Sequence, residues 1–162
     1  MKTLAIAACF QLAFLQTSLA QEQAQPSVEI SGRIVPSGKI SPDKLSRLPS
    51  VDQEVRYQTS KGEEHGRYSG PLVWSILKAK GIANLPGHNE QLKHSFVVEG
   101  RDGYRIIFSV GEIDPNFGNA PIQLAIEHDG KPMTATEGYR LIVPGDKRGA
   151  RFVRDVVKID VQ

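Results

Sequence analysis

The stretch PGDKRGARFVRDVVKIDV, residues 144–161, joins a glycine-rich cationic loop to an alternating apolar segment. Over residues 152–161, apolar side chains recur on one face and charged side chains lie mostly on the other, which predicts a half-buried strand. The preceding loop, residues 144–151, holds three cations within five residues, and its glycines allow the backbone to approach a ligand closely. Backbone amides in such turns and arginine side chains are groups that hold phosphate. The stretch therefore predicts a final strand that begins beside a candidate anion site.

The rest of the chain indicates further short strands and one substantial helix. Leu72, Val73, Ile76 and Leu77 share one helical face in a helix that opens after Ser69-Gly70-Pro71 and ends at Gly81. A second, short helix is predicted from its N-terminal serine and proline at 41–42. The other predicted strands are residues 28–34, 55–59, 64–68, 95–98, 104–108, 120–126 and 139–143. This pattern predicts an α+β fold, a compact mainly-β mixed domain with a few short helices.

Residues 1–20 have the pattern of a secretory signal peptide. Lys2 is the only charge in this segment, residues 4–15 are apolar apart from Gln11, and Ser18-Leu19-Ala20 provides the small residues that signal peptidase accepts. A membrane anchor is the alternative, but the apolar run is shorter than the ~20 residues that span a bilayer. We therefore expect an exported protein, periplasmic in a Gram-negative source and otherwise secreted, with no membrane attachment after cleavage.

Length and charge limit the function of the remaining chain. Cleavage after Ala20 would leave a polar tail at 21–27 and one domain at 28–162, which is long enough to bury a hydrophobic core. The formal charge of the whole chain is +2, and the loss of Lys2 lowers it by one. Such a small net charge gives no strong field to attract nucleic acid, so no nucleic-acid partner is expected.

Cysteine and histidine usage excludes several classes of site. Cys9 is the only cysteine, and it lies in the predicted signal peptide. The exported chain would therefore have no disulfide, no thiolate nucleophile and no cysteine-ligated metal. The four histidines show no metal-ligand spacing, and the chain carries no zinc, haem or nucleotide signature.

Five motifs occur along the chain in a fixed order. They are YSGPL (68–72), DGYR (102–105), DGKP (129–132), YRLIVPG (139–145) and GARFVR (149–154). In this order and spacing they resemble the sulfite-oxidase-type molybdopterin-binding domain, and the resemblance covers nearly all of residues 28–162. It implies a compact, mainly-β fold around a pterin site, a relationship to oxidoreductases, and molybdopterin as the cofactor.

The sequence departs from this family at the metal ligand. In the family's enzymes a cysteine thiolate, placed after an early strand and before the Gly-Pro-Leu helix, ligates molybdenum. The corresponding stretch here, residues 55–62, has no cysteine, and Thr59 or Ser60 takes the equivalent place. A hydroxyl is far less acidic than a thiol, and an alkoxide is a hard ligand where a soft one is needed. No catalytic or metal-ligating residue is therefore predicted.

The resemblance assigns the pterin's phosphate side to the loop before the last strand. Gly149, Ala150 and Arg151 match the family's Gly-Ala-Arg, and Arg154 stands where the family often has lysine. Asp155 departs from the tryptophan that is common there. The candidate cofactor-binding residues are Thr59, Ser60, Lys147, Arg148, Gly149, Ala150, Arg151 and Arg154. The alternative is a solvated turn between two strands, in which basic residues keep the edges soluble.

Two functions remain open at this point. One is an oxidoreductase-related protein that binds molybdopterin without the usual thiolate. The other is a non-catalytic exported module that keeps only the fold and binds an anion, another small molecule or a periplasmic protein partner. If the family site persists, Thr59, Ser60, Arg151 and Arg154 should converge on one concave pocket. His65, Glu64 and Arg67 could line the same cleft, although a polar hairpin at 61–67 is the favoured explanation for them.

Overall fold

The computed structural model describes residues 26–33 and 36–162. The predicted signal peptide and residues 21–25 of the polar tail lie outside the described residues, as does Ile34, which the strand prediction at 28–34 included. Every helix in the described ranges is too short to cross a bilayer.

The described residues form eleven strands, three short α-helices and three 3₁₀ segments. The strands are β1 (Val28–Gly32), β2 (Gly38–Ile40), β3 (Ser50–Thr59), β4 (Gly62–Pro71), β5 (Ser95–Gly100), β6 (Arg105–Ser109), β7 (Gln123–Ala125), β8 (Glu127–His128), β9 (Lys131–Pro132), β10 (Arg140–Ile142) and β11 (Val156–Val161). The α-helices are α1 (Pro42–Ser46), α2 (Val73–Ala79) and α3 (Val110–Ile113). The 3₁₀ segments cover Ile82–Asn84, Glu90–Lys93 and Gly149–Arg151.

The strands assemble into three sheets. The largest has the order β2-β1-β11-β5-β6, in which β1 and β11 are parallel and the other neighbours antiparallel. A second sheet has the order β3-β4-β8-β9, and β10 pairs with β7 in a third. The α+β, mainly-β fold expected from the sequence is confirmed.

The hairpin of β3 and β4 is longer than the strands predicted at 55–59 and 64–68. Its register runs without interruption from the pair Ser50 and Pro71 to the pair Thr59 and Gly62. Val55 and Tyr57 are buried, whereas Arg56 between them faces solvent. The sequence pattern missed the rest of each strand, because those positions hold mainly polar residues in β3 and glycine, proline and polar residues in β4.

The motif YSGPL forms the end of β4, so α2 begins later than predicted. Pro71 pairs with Ser50 in the ladder, and Leu72 precedes the first helical residue. A Cβ on Gly70 would lie 2.2 Å from the carbonyl oxygen of Leu124, so only glycine lets β4 pass this close to β7. Helix α2 then buries its apolar face in the hydrophobic core.

The last strand begins at Val156, not at residue 152 as predicted. Asp155 adopts a left-handed backbone conformation with φ 45°, which interrupts the extended chain just before β11. The backbone of Val153 is nevertheless engaged, because Leu141 N donates to its carbonyl oxygen at 2.8 Å. Upstream, the segment Gly149–Arg151 forms one 3₁₀ turn. This break turns the 149–155 segment towards the β3–β4 hairpin.

Candidate functional site

The tip of the β3–β4 hairpin and the loop before β11 together enclose a cleft. Gln58 N donates to the carbonyl oxygen of Lys147 at 3.0 Å, and Gln58 forms a parallel bridge with Arg148. This contact joins two segments that are about ninety positions apart in the sequence. The cleft has a volume of about 700 Å³. Its lining consists of Gln58, Thr59, Ser60, Lys61, Glu64, Arg148, Gly149, Ala150 and Arg154.

Six of the eight predicted site residues line this cleft. They are Thr59, Ser60, Arg148, Gly149, Ala150 and Arg154. Lys147 contributes a backbone carbonyl to the contact between the two segments, but it is not part of the lining. Arg151 also lies outside the lining. Whether these residues bind a cofactor stays a prediction.

Gly149 allows the two walls of the cleft to meet. A Cβ at this position would lie 2.8 Å from Cδ2 and 2.9 Å from Cε2 of Tyr57, which is closer than side chains tolerate. The Tyr57 ring is buried and stacks on Phe152 with ring centroids 4.1 Å apart, so it has little room to retreat. The glycine of the Gly-Ala-Arg motif is therefore required by packing of the loop on the hairpin.

A carboxylate, a tyrosine and an arginine form a polar wall at one side of the cleft, in which Glu64 and Arg154 belong to the lining and Tyr57 is buried beside Glu64. The Tyr57 hydroxyl donates to Glu64 Oε2 at 2.9 Å, and Arg154 Nη2 donates to Glu64 Oε1 at 2.8 Å. Burial raises the pKa of Tyr57, and its hydrogen bond to Glu64 adds to this effect. Burial alone would raise the pKa of Glu64, but the hydrogen bond from Tyr57 and the charge of Arg154 outweigh it and lower that pKa. Glu64 is therefore ionised at neutral pH.

The sequence did not identify Tyr57 as part of this wall. Its aromatic ring fits the apolar side of a strand, and only the three-dimensional register shows that its hydroxyl reaches Glu64. Arg140 was missed for the same reason. Its Nη1 donates to the Tyr68 hydroxyl at 2.7 Å, and its charge contributes to the lowered pKa of Glu64.

Thr59 and Ser60 do not fit the role of the family's molybdenum ligand. The Thr59 hydroxyl donates to the Gly62 carbonyl at 2.9 Å and accepts a hydrogen bond from Lys61 N at 3.1 Å, so it stabilises the hairpin turn. Ser60 is an exposed residue of the same turn. The described ranges contain no cysteine, and they hold no group of three or more His, Cys, Asp or Glu side chains that could bind a metal ion. Neither side chain at this position can supply the thiolate that ligates molybdenum in that family.

The cleft does suit an anionic group. Its lining includes three cationic side chains, from Lys61, Arg148 and Arg154, and one carboxylate, from Glu64. Arg154 is paired with Glu64, whereas in the described part of the chain no carboxylate pairs with Lys61 or Arg148. Lys61 was not among the predicted residues, because a Lys-Gly turn is typical of any hairpin. Two unpaired cations therefore remain available to a ligand.

Arg151 instead holds the loop of residues 144–151 to α3. Its guanidinium donates to both oxygens of Asp146, at 2.8 and 2.7 Å, and to Glu112 Oε1 at 3.0 Å. It also lies over the Phe108 ring, 5.3 Å from the centroid. The hydrogen bonds to Asp146, ahead of those to Glu112, raise the pKa of Arg151 despite partial burial. These contacts use most of the donors with which Arg151 could hold a ligand.

Comparison with known proteins identifies the fold. No family model and no curated protein matches the chain. Among solved structures, the sulfane dehydrogenase SoxCD from Paracoccus pantotrophus matches with a TM-score of 0.64 and 17% sequence identity. The match covers 84% of this chain and 38% of that chain, so this chain spans well under half the length of the chain that it matches. At this identity the chain shares a fold with a part of that enzyme, as a distant relative in structure.

Proposed function

We propose that this protein is an exported binding domain, related to sulfite-oxidase-type oxidoreductases, that holds an anionic ligand in the cleft and does not use a molybdenum thiolate. The observation that carries the proposal is the convergence of Arg148 and Lys61, both without an ion pair among the described residues, on one cleft. The fold shared with a sulfane dehydrogenase and the order of the five motifs support the relationship to oxidoreductases.

Phosphate is the chemical group that the cleft suits best. Arg148 offers a planar fork of donors, and Lys61 offers a compact charge on the opposite wall. Gly149 and Ala150 of the segment Gly149–Arg151 line the same space. Phosphate monoesters, including the phosphate arm of a pterin cofactor, combine the charge and the acceptors that such donors bind.

Catalysis at a molybdenum thiolate is not part of the proposal. The sequence has no cysteine at residues 55–62, and the Thr59 hydroxyl there already makes two hydrogen bonds within the turn. Neither Thr59 nor Ser60 supplies a soft, easily ionised donor. If a pterin is the ligand, this chain would hold it through its phosphate.

Export is proposed from residues 1–20 alone. Their single charge, apolar run and small residues before position 21 are the three parts of a secretory signal.

Analysis of the protein from its native exported fraction tests the proposal. We expect phosphate or a phosphorylated compound to accompany the protein, with molybdenum far below one atom per chain. Stoichiometric molybdenum would overturn the proposal that the site works without the metal.

A thermal-shift series with inorganic phosphate tests the cleft itself. We expect phosphate to raise the Tm of the wild type and to have a smaller effect on Arg148→Ala. Arg47→Ala is the matched control, because Arg47 is an exposed arginine outside the cleft lining. Equal Tm shifts in the wild type and both variants would rule out the proposed anion site.

A further inference from the structure

We propose that the free edge of β6 is the contact surface for a second copy of this chain. β6 is the last strand in the order β2-β1-β11-β5-β6, and within residues 26–33 and 36–162 no strand pairs with its outer side. An unpaired strand edge presents N–H and C=O groups at the spacing that another extended strand complements. The surface consists of the outward backbone groups of β6 and the side chain of Ile107.

The hydrogen bonds around β5 and β6 identify which backbone groups point outwards. Gly100 N donates to the Tyr104 carbonyl at 2.9 Å, and Val110 N donates to the His94 carbonyl at 3.0 Å. Antiparallel strands alternate between pairs that exchange hydrogen bonds and pairs that do not. The even-numbered residues of β6 therefore bond to β5, and the backbone groups of its odd-numbered residues face away from the sheet.

The same odd-numbered positions expose an apolar side chain. Ile107 is 66% exposed in the middle of β6. In the part of the chain that the structure describes, the other exposed large apolar side chains are Tyr104 and Phe117. All three lie in one fourteen-residue segment, 104–117, that contains β6. Apolar exposure in the middle of a strand with a free edge is typical of a protein contact.

The edge of β3 shows how this chain protects an edge from pairing. β3 is also the outermost strand of its sheet, it is twice as long as β6, and its outer side is engaged at Gln58 by the loop before β11. Its exposed positions hold Asp52, Glu54 and Arg56, whose charges oppose burial against another strand. The central exposed position of β6 holds an isoleucine instead, so β6 is the edge that favours association.

The antiparallel register centred on Ile107 is the one that we propose for the second copy. Centred on Ile107, this register pairs Ile107 with its own copy and Arg105 with Ser109 of the second copy. The single charged side chain of β6 then faces a hydroxyl. A register centred on Arg105 would instead set two arginines opposite each other, which is unfavourable. The centred register is two-fold symmetric and closes, as most homodimers do, and it joins two five-stranded sheets into one.

Cysteine cross-linking tests both the association and its register. The described residues contain no cysteine, and Cys9 lies in the predicted signal peptide, so an introduced thiol is unambiguous in the exported chain. Residues opposite each other in a hydrogen-bonded antiparallel pair have Cα atoms about 5.5 Å apart, within reach of a disulfide. We expect Ile107→Cys to form a disulfide-linked dimer under mild oxidation.

The matched controls come from the same strand. Arg105→Cys alone and Ser109→Cys alone should stay uncross-linked, since neither position faces its own copy in the centred register. An equal mixture of these two variants should cross-link, because Arg105 faces Ser109 across the contact. Failure of Ile107→Cys to cross-link, or cross-linking of Arg105→Cys alone to the same extent, overturns the proposal.

Sedimentation of the untagged exported protein provides an independent measurement. The wild type should show a concentration-dependent dimer. Ile107→Lys should raise the dissociation constant of that dimer by about tenfold or more, because the substitution places two lysines opposite each other across the contact. Ile107→Thr, which keeps a strand-forming residue, should raise the dissociation constant less. A wild type that is monomeric at every concentration overturns the proposal.

Discussion

Arg154 Nη2 lies 2.8 Å from Glu64 Oε1, and this pair neutralises one of the three cationic side chains that line the cleft. The second oxygen of Glu64 accepts a hydrogen bond from the Tyr57 hydroxyl, which fixes the carboxylate against the hairpin. Glu64 therefore competes with any bound anion for Arg154. The capacity of the cleft for negative charge depends on this carboxylate as much as on the cations.

Replacement of Glu64 with glutamine should strengthen anion binding. Glu64→Gln keeps the shape of the side chain and an acceptor for Tyr57, but it frees the charge of Arg154. Because both side chains are partly exposed, we expect a gain of up to about fivefold in affinity for inorganic phosphate. Isothermal titration at constant ionic strength measures this. Weaker binding by the variant would show that Glu64 supports the ligand and does not compete with it.

The two arginines at 148 and 151 should have opposite roles. Arg151→Ala removes the contacts with Asp146 and Glu112, so the free energy of unfolding should fall by about 1 kcal/mol after solvent screening. Phosphate affinity should change little in this variant. Arg148→Ala should weaken phosphate binding and leave the unfolding free energy nearly unchanged, since Arg148 is exposed. Denaturant unfolding combined with titration separates the two effects. Loss of binding in Arg151→Ala with stability intact would reverse this assignment.

Substitution of Gly149 should destabilise the protein through packing. The added Cβ of Gly149→Ala would meet the Tyr57 ring at 2.8 Å, and the stacked Phe152 ring hinders its retreat. We expect a loss of about 1–3 kcal/mol in the free energy of unfolding, as for other overpacked sites. Ala150→Ser, at the exposed neighbouring position, is the control and should be close to neutral. A neutral Gly149→Ala would mean that the loop does not pack on Tyr57 as described.

Asp160 should contribute to a loss of stability in acid. A hydrogen bond from Ser31, joined by the charge of Lys158, lowers the pKa of Asp160 below its ordinary value near 3.8, although burial opposes this. A carboxyl whose pKa is lower in the folded state stabilises the fold above its unfolded pKa, and this contribution is lost as the pH falls through the folded pKa.

Asp160→Asn should therefore lose about 1 kcal/mol of unfolding free energy at pH 7 and show a shallower decline below about pH 4. Urea unfolding of both proteins across pH 2.5–7 measures the difference. Parallel stability curves would show that Asp160 has the same pKa in the folded and unfolded chain.

Local sequence patterns predicted the fold class, and the family resemblance predicted much of the cleft. Alternating apolar residues marked β11, and the Gly-Ala-Arg motif located two residues that line the cleft, Gly149 and Ala150. The start of β11 was missed because the left-handed conformation of Asp155 depends on tertiary contacts, including the ion pair with Arg101. No local pattern reveals such a break.

The role of Arg151 was beyond sequence reasoning for a similar reason. Its partner Glu112 lies 39 positions away, and only the folded chain brings them together. The family motif placed Arg151 beside a ligand, whereas its contacts in this structure are with two carboxylates and an aromatic ring. Glu64 and Tyr57 likewise become a single polar wall only through the register of the β3–β4 hairpin.

Isothermal titration of inorganic phosphate into the wild type and Arg148→Ala tests the central claim most directly. The account predicts saturable binding to the wild type with one site per chain, and at least about tenfold weaker binding to Arg148→Ala, because a charge-assisted hydrogen bond is lost. Arg47→Ala should bind as the wild type does. Absence of binding to the wild type, or equal affinity of all three proteins, would contradict the account of an anion site in this cleft.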